Sequence, residues 1–298
     1  MKKINSAFLS TLLSGLLLLP GCRENGFQQA ALPHDAGRLA TRSAISPCEV
    51  PFNESALLRE GWTKTFEDEF SRDLSRWNLW TGGAYNEELQ HYQPSNLVLS
   101  NGILSIVAKR ETVVGRTRPN LPEPKTFRFT SGRIESKTAF APGGRVKELR
   151  ISARIKCPGG YGMWPAFWAY GDPWPTKGEI DILEMRGNEP LKYTTNYAYG
   201  PRAGENQAPD ATAVIQPGVS LTDCWHTFEL IRARKTLTFL FDGRVVDVKQ
   251  GRMVEELYTK PENIVLNLAI GGTFFGHPSP DQIVPGTMQV DWVKVFTK

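Results

Sequence analysis

The 298 residues carry 35 Lys and Arg against 31 Asp and Glu, a formal charge of +4 spread along the chain, which excludes a basic nucleic-acid-binding patch as the organising feature. At 40% hydrophobic and 22% charged, the composition is that of a globular protein with room for one large β-domain or two small ones. Zinc is excluded by the lack of CxxC or HExxH spacing. A serine nucleophile is excluded by the lack of GxSxG, the four His residues having no serine beside them.

The N-terminus reads as an export signal. Lys2 and Lys3 form a basic head, and Ala7 to Leu19 an apolar run too short to span a bilayer comfortably. Leu19-Pro20-Gly21-Cys22 resembles a bacterial lipoprotein signal, which implies lipid on Cys22 at the start of the mature chain and a membrane as partner without a spanning helix. Arg23 follows where an inner-membrane retention signal typically has Asp, so the outer membrane is expected. The alternative is an ordinary secretory signal with Cys22 incidental. Residues 1–21 are thus a signal, and 22–57 a tether of Gly, Pro, Ala, Ser and charges in which Pro47 and Cys48 mark a docking end. Residues 58–298 form the domain. Without Cys22, the odd set Cys48, Cys157 and Cys224 leaves at least one thiol free or paired elsewhere.

From Trp62 short alternating runs follow one another. Leu97 to Ser100, Asn101-Gly102 and Ile103 to Ala108 predict a hairpin. Phe127 to Phe140 and Val146 to Ile155 alternate and stop at Pro-Gly-Gly turns. Trp225 to Ile231, Leu237 to Phe241, Val245 to Val248, Ile264 to Ile270 and Met288 to Phe296 follow, with brief helical periodicity at Met253 to Tyr258. The expectation is an all-β fold, a two-sheet antiparallel β-sandwich.

One stretch stands apart: Gly178-Glu179-Ile180-Asp181-Ile182-Leu183-Glu184-Met185. Strict alternation puts Glu179 and Asp181 on one face but turns Glu184 into the core. A β-bulge at Ile182–Leu183 returns Glu184 to the acidic face and buries the apolar set. Three carboxylates on one face suit retaining hydrolysis of a glycosidic bond, which needs a nucleophile and a protonated acid/base with carboxyl groups about 5–5.5 Å apart. Glu179 and Glu184 would be about 13 Å apart along a straight strand, so a bent strand and inward-leaning side chains have to close the gap. Glu179 is expected as nucleophile, Asp181 as its partner and Glu184 as acid/base. The plain alternative is a solvent-facing strand with three ordinary acids.

Several stretches together resemble glycoside hydrolase family 16, in its laminarinase-like (endo-β-1,3-glucanase) branch. Glu179 to Glu184 is similar to the family's bulged E-x-D-x-x-E signature. Met163-Trp164-Pro165-Ala166-Phe167-Trp168 is similar to its W-P-A-x-W element, and Asn86-Glu87-Glu88-Leu89-Gln90-His91-Tyr92 to its N-x-E-L-Q-x-Y run. Ser131-Gly132-Arg133-Ile134 and Met288 to Val293 also fit, so the likeness runs from about Trp62 to Phe296. It implies a concanavalin A-like jelly roll with an open concave cleft, acting by retaining endo-hydrolysis as a monomer. It implies that Trp164 and Trp168 line sugar subsites, that Asn86 and Arg133 donate hydrogen bonds to sugar hydroxyls, and that Trp174 reaches the cleft.

The chain departs from the branch where Tyr193 to Gly200 lacks its His-containing run, which leaves Asn196 or Tyr199 for the polar contacts. It departs again where Gly271-Gly272-Thr273-Phe274-Phe275-Gly276 has phenyl rings in place of an indole. No cofactor is needed for the chemistry. The resemblance implies a structural Ca²⁺ held near Glu69, the backbone at Gly102, and Asp291. The expected substrate is β-1,3-glucan or mixed β-1,3-1,4-glucan. The alternatives are a red-algal galactan (agar, porphyran or carrageenan), with Arg133, Arg186 and Arg202 as cationic contacts, or a silent glucan-binding surface lipoprotein.

Overall fold

The structure is a computed structural model that describes residues 49–118, 121–209 and 211–298. Cys22, the signal and most of the tether lie outside the described residues. Two antiparallel sheets face each other. One has seven strands in the order Ala213–Ile215, Tyr193–Ala198, Glu179–Glu184, Met163–Tyr170, Glu262–Ile270, Arg133–Phe140 and Trp77–Leu79. The other has eight, running from Arg244–Gln250 through Thr236–Phe241, His226–Ala233, Leu149–Lys156, Thr287–Thr297 and Ile103–Val107 to Leu97–Ser100. Its eighth strand, Thr63–Asp68, also pairs with Thr287–Thr297. This is the all-β jelly-roll sandwich that the alternating runs predict.

Alternation decides which side chains fill the gap between the sheets. Met163 and Phe167 point inward from one sheet, and Ala153, Ile155, Phe228, Leu230, Val293 and Val295 from the other, all within one buried cluster. The Asn101-Gly102 turn has φ of 52° and 73°, the left-handed pair that a two-residue hairpin of this hand requires, and Ser100 pairs with Ile103 across it. The brief helical periodicity is a helix at Arg252–Leu257 with Val254 and Leu257 buried.

Two readings are corrected. The tether does not run to residue 57. Glu54–Arg59 is a helix capped by the Asn53 side chain, and Leu57 packs with Trp62 and Phe296 while Phe52 lies against Trp292. Six residues carry too little periodicity to register as a helix, and tertiary burial of Leu57 decides the matter. A second hairpin, Val113–Arg118 with Leu121–Phe127, was not anticipated, because exposed Thr, Arg and Lys residues mask its alternation. Of the cysteines, Cys224 is disulfide-bonded and Cys157 is a buried free thiol.

Candidate active site

The acidic strand lies between Met163–Tyr170 and Tyr193–Ala198. Against the first, Glu179, Ile180 and Asp181 oppose Tyr170, Ala169 and Trp168; the register then jumps, so that Leu183 and Glu184 oppose Phe167 and Ala166. Against the second, Asp181 opposes Asn196 and Glu184 opposes Thr194, three steps against two. The extra residue sits at Ile182–Leu183, where the sequence places it. Ile180, Ile182 and Leu183 are all in the core, which leaves the three acids together on the other face. Burying two consecutive aliphatic side chains is what favours the bulge over an unbroken pleat.

Indole and amide groups hold the acids. Trp164 donates its Nε1–H to Glu184 Oε1 at 3.0 Å. The Trp174 side chain, 37% exposed, hydrogen-bonds Glu179. Asn196 donates to Asp181 Oδ2 at 3.1 Å and accepts from Thr212 Oγ1 at 3.2 Å, so it steadies the middle acid. Burial comes first in setting every proton affinity here. It pushes Glu184 up to about 8, helped by the negative charges of Asp181 and Glu88 and opposed by the Trp164 hydrogen bond and Arg186. Burial pushes Asp181 up to about 6 against the Asn196 hydrogen bond and Lys249. Glu179 is also raised by burial and then by the other two acids, while Arg133 and the Trp174 hydrogen bond favour its carboxylate. Three carboxylates this close do not all ionise together, so the site keeps protons at neutral pH.

An aromatic wall continues from the acids. The Arg133 guanidinium lies 4.1 Å from the Trp80 ring and 4.9 Å from that of Trp168, and Tyr170 is 5.0 Å from Trp168. Arg133 Nε and Nη2 donate to Glu135 Oε1 at 3.1 and 2.6 Å, and Tyr170 donates to the same oxygen. Arg133 therefore braces the rings with two of its five N–H donors committed to Glu135. Trp164 stacks on Phe274 at 4.3 Å, and Arg186 covers Phe274 at 3.9 Å, so the phenyl ring in the altered late segment completes a three-layer stack. Arg186 and Arg202 each have a carboxylate within 4 Å, Glu189 and Glu205.

Asn86 stays exposed, with φ of 60°, its carbonyl accepting from Thr273 N and its side chain hydrogen-bonding Glu88. Glu88 itself, to which the sequence motif assigns no role, is buried beside the site. The available signal was the alternation Glu88, Gln90, Tyr92, three polar side chains on one face of an extended run.

Of the three metal positions, Gly102 lies against the Glu69 backbone carbonyl, a Cβ there being 3.5 Å from its oxygen. The Asp291 carboxylate bonds Arg154 at 2.6 Å, and Glu69 has the Lys294 ammonium at 4.0 Å. Among the described residues no group of three or more His, Cys, Asp or Glu side chains could hold a metal. No step of the chemistry is routed through a metal.

The family described as XgeA-like, catalytic GH16 domain, matches residues 90–216. A glucan endo-1,3-beta-glucosidase of Cryptopygus antarcticus is 30% identical over 269 residues, 81% of this chain and 94% of that protein. Glucan endo-1,3-beta-glucosidase A1 of Niallia circulans is 28% identical over 79% of this chain, which spans only 38% of that longer protein. Among solved structures, the endo-beta-1,3-glucanase of Pyrococcus furiosus superposes with a TM-score of 0.67 at 30% identity, over 79% of this chain and 94% of that one.

Proposed function

This chain belongs to glycoside hydrolase family 16 and is a glycoside hydrolase, and from that premise we propose that it is a retaining endo-glycosidase of β-1,3-glucan of laminarin type, or of mixed β-1,3-1,4-glucan. The observation that carries the reading is the bulge at Ile182–Leu183, which sets Glu179, Asp181 and Glu184 on one face beside Trp164 and Trp168.

Glu184 gives its proton to the glycosidic oxygen while the Glu179 carboxylate attacks the anomeric carbon, forming a glycosyl-enzyme bond as the bond to the leaving sugar breaks. Glu184, now a carboxylate, takes a proton from the water that attacks the same carbon and releases Glu179. Asp181 shares a proton or hydrogen bond with Glu179, so that the pair carries one charge and the nucleophile can be ionised in its turn. The Trp174 hydrogen bond favours that carboxylate, and the Trp164 N–H favours Glu184 in its base form. Sugar faces stack on the Trp168 wall.

The galactan alternative loses its support, because Arg133, Arg186 and Arg202 each face a carboxylate of this chain. The silent-binder alternative loses its own with both glutamates in place. A panel of laminarin, lichenan, agarose, porphyran and carrageenan, read by product size and by the anomer first released, tests the proposal. Short β-anomeric products from laminarin or lichenan are expected; faster release from a galactan, or an inverted first product, sinks it.

We also propose that Cys22 carries lipid and holds the enzyme on the outer membrane, on the strength of Lys2, Lys3 and the apolar run before it. Cys22→Ala is expected to move the protein from the membrane to the soluble fraction, and an unchanged membrane fraction refutes the anchor.

A further inference from the structure

Glu88 is a buried carboxylate, 8% exposed, that the two-step chemistry does not use. Its segment is fastened to the end of a central strand of the acid-bearing sheet: Leu89 N donates to Ile270 O at 2.9 Å, and Ile270 N donates to Gln90 Oε1 at 2.7 Å. Gln90 Nε2 donates back to Glu88 Oε2 at 2.5 Å, and the Tyr92 hydroxyl donates to the same oxygen at 3.2 Å. Tyr92 in turn accepts from Asn267 Nδ2 at 3.1 Å, and Asn267 Oδ1 accepts from Trp168 Nε1 at 2.7 Å. An unbroken run of hydrogen bonds thus leads from a buried acid to the indole of the aromatic wall.

We infer that Glu88 is a positioning residue of the catalytic centre, which holds the Trp168 indole through Tyr92 and Asn267 and sets a negative charge near Glu184. Chains of this kind fix the direction of every member, because each hydroxyl and amide can satisfy its neighbours in only one arrangement. The inference rests on the family 16 reading of Glu184 as acid/base.

The electrostatic part follows from the groups around Glu88. Tyr92 faces it from its own segment, Arg133 from Arg133–Phe140, and Glu184 from the acidic strand, with Arg186 acting on Glu184. Glu87, Arg118, Lys125 and His277 share with it the lining of a cavity of about 410 Å³. Burial pushes Glu88 up to about 7 against the hydrogen bonds and Arg133, below the value of about 8 for Glu184. The Arg133 guanidinium and the hydrogen bonds favour the Glu88 carboxylate, whose charge then helps keep the proton on Glu184.

The test compares two variants on laminarin, with melting curves to verify folding. Glu88→Gln is expected to move the alkaline limb of kcat/KM to lower pH by about 0.5 unit or more, the scale of one like charge at a screened distance. Tyr92→Phe, which leaves the charge but cuts the run to Asn267, is expected to raise KM several-fold with kcat changing less. A Glu88→Gln enzyme that loses activity equally at every pH overturns the charge assignment, and an unchanged KM in Tyr92→Phe overturns the positioning. Should Glu88→Gln not fold, carbon-13 NMR of labelled glutamates in the wild type, assigned with Glu184→Gln, gives a second measurement. There Glu88 must titrate at lower pH than Glu184, and a Glu184 that ionises first refutes the charge assignment. That readout needs no turnover, so its failure is separate from failure of the glucanase reading.

Discussion

Glu184 and Glu229 are both acids in central strands of this sandwich, one in each sheet, and they are treated in opposite ways. Glu229 is fully buried and carries its own cation, with Arg150 at 2.6 Å and the Ser152 hydroxyl at 2.7 Å on the same oxygen. Glu184 has Glu179 and Asp181 as neighbours on its strand, and the hydrogen bond found to it comes from a neutral indole. The eight-stranded sheet repeats the pairing at Asp291 with Arg154, and its Lys294 pairs with Glu54 of the Glu54–Arg59 helix. The contrast separates acids that keep the fold from acids that do chemistry. Unpaired carboxylates crowded together hold protons they can give away.

Substitutions in the two regions should therefore separate stability from activity. The largest effect is expected at Glu179: Glu179→Gln should cut turnover by more than about 10³-fold, since no other side chain can form the covalent bond, with an unchanged fold by circular dichroism. Most of the activity surviving would remove Glu179 from the nucleophile role. Glu184→Gln should cost about 10²- to 10⁴-fold on glucan. Its first step should recover on an aryl glycoside with a good leaving group, where acid help matters least; no recovery would point to another acid.

On the other sheet, Arg150→Met should leave activity per folded molecule alone but lower stability by about 3–5 kcal/mol, by stranding Glu229 without its cation. Chemical denaturation measures this, and a loss of kcat instead would erase the contrast between the sheets. Trp164→Phe removes the N–H that favours the Glu184 carboxylate. It should slow the second, base-assisted step by about tenfold and move the alkaline limb to higher pH, as a pH–rate profile would register.

The smallest effect concerns stability against pH. Folding raises Glu184 from the ordinary carboxylate range to about 8, so the folded state holds a proton that the unfolded chain releases. That contribution is complete below about 4.5 and is lost as pH rises through about 8. Glu184→Gln removes the penalty and should raise Tm more at pH 8.5 than at pH 4.5. An equal rise at both would mean that Glu184 is not held protonated by the fold.

Much of the site was legible because it is local. Glu179, Asp181 and Glu184 lie in one strand, and two consecutive aliphatic residues between the acids demand a bulge whatever the partner strands are. Trp164 and Trp168, four apart in the next strand inward, follow from the same period of two. Less legible were residues whose roles depend on partners far along the chain. That Asn196 engages Asp181 and Arg133 engages Glu135 could not be read from the sequence, and Glu88 was hidden because Asn267, which extends its hydrogen-bond run, stands 179 positions later.

The sequence by itself determined the sandwich, the kinked acidic strand and the chemistry those acids can perform, because alternation and burial of neighbouring side chains act over a few residues. Only the tertiary structure decided which charges are neutralised and which are left to work. Proton affinity depends on what is brought within a few ångströms from distant strands, and on how much water is excluded there.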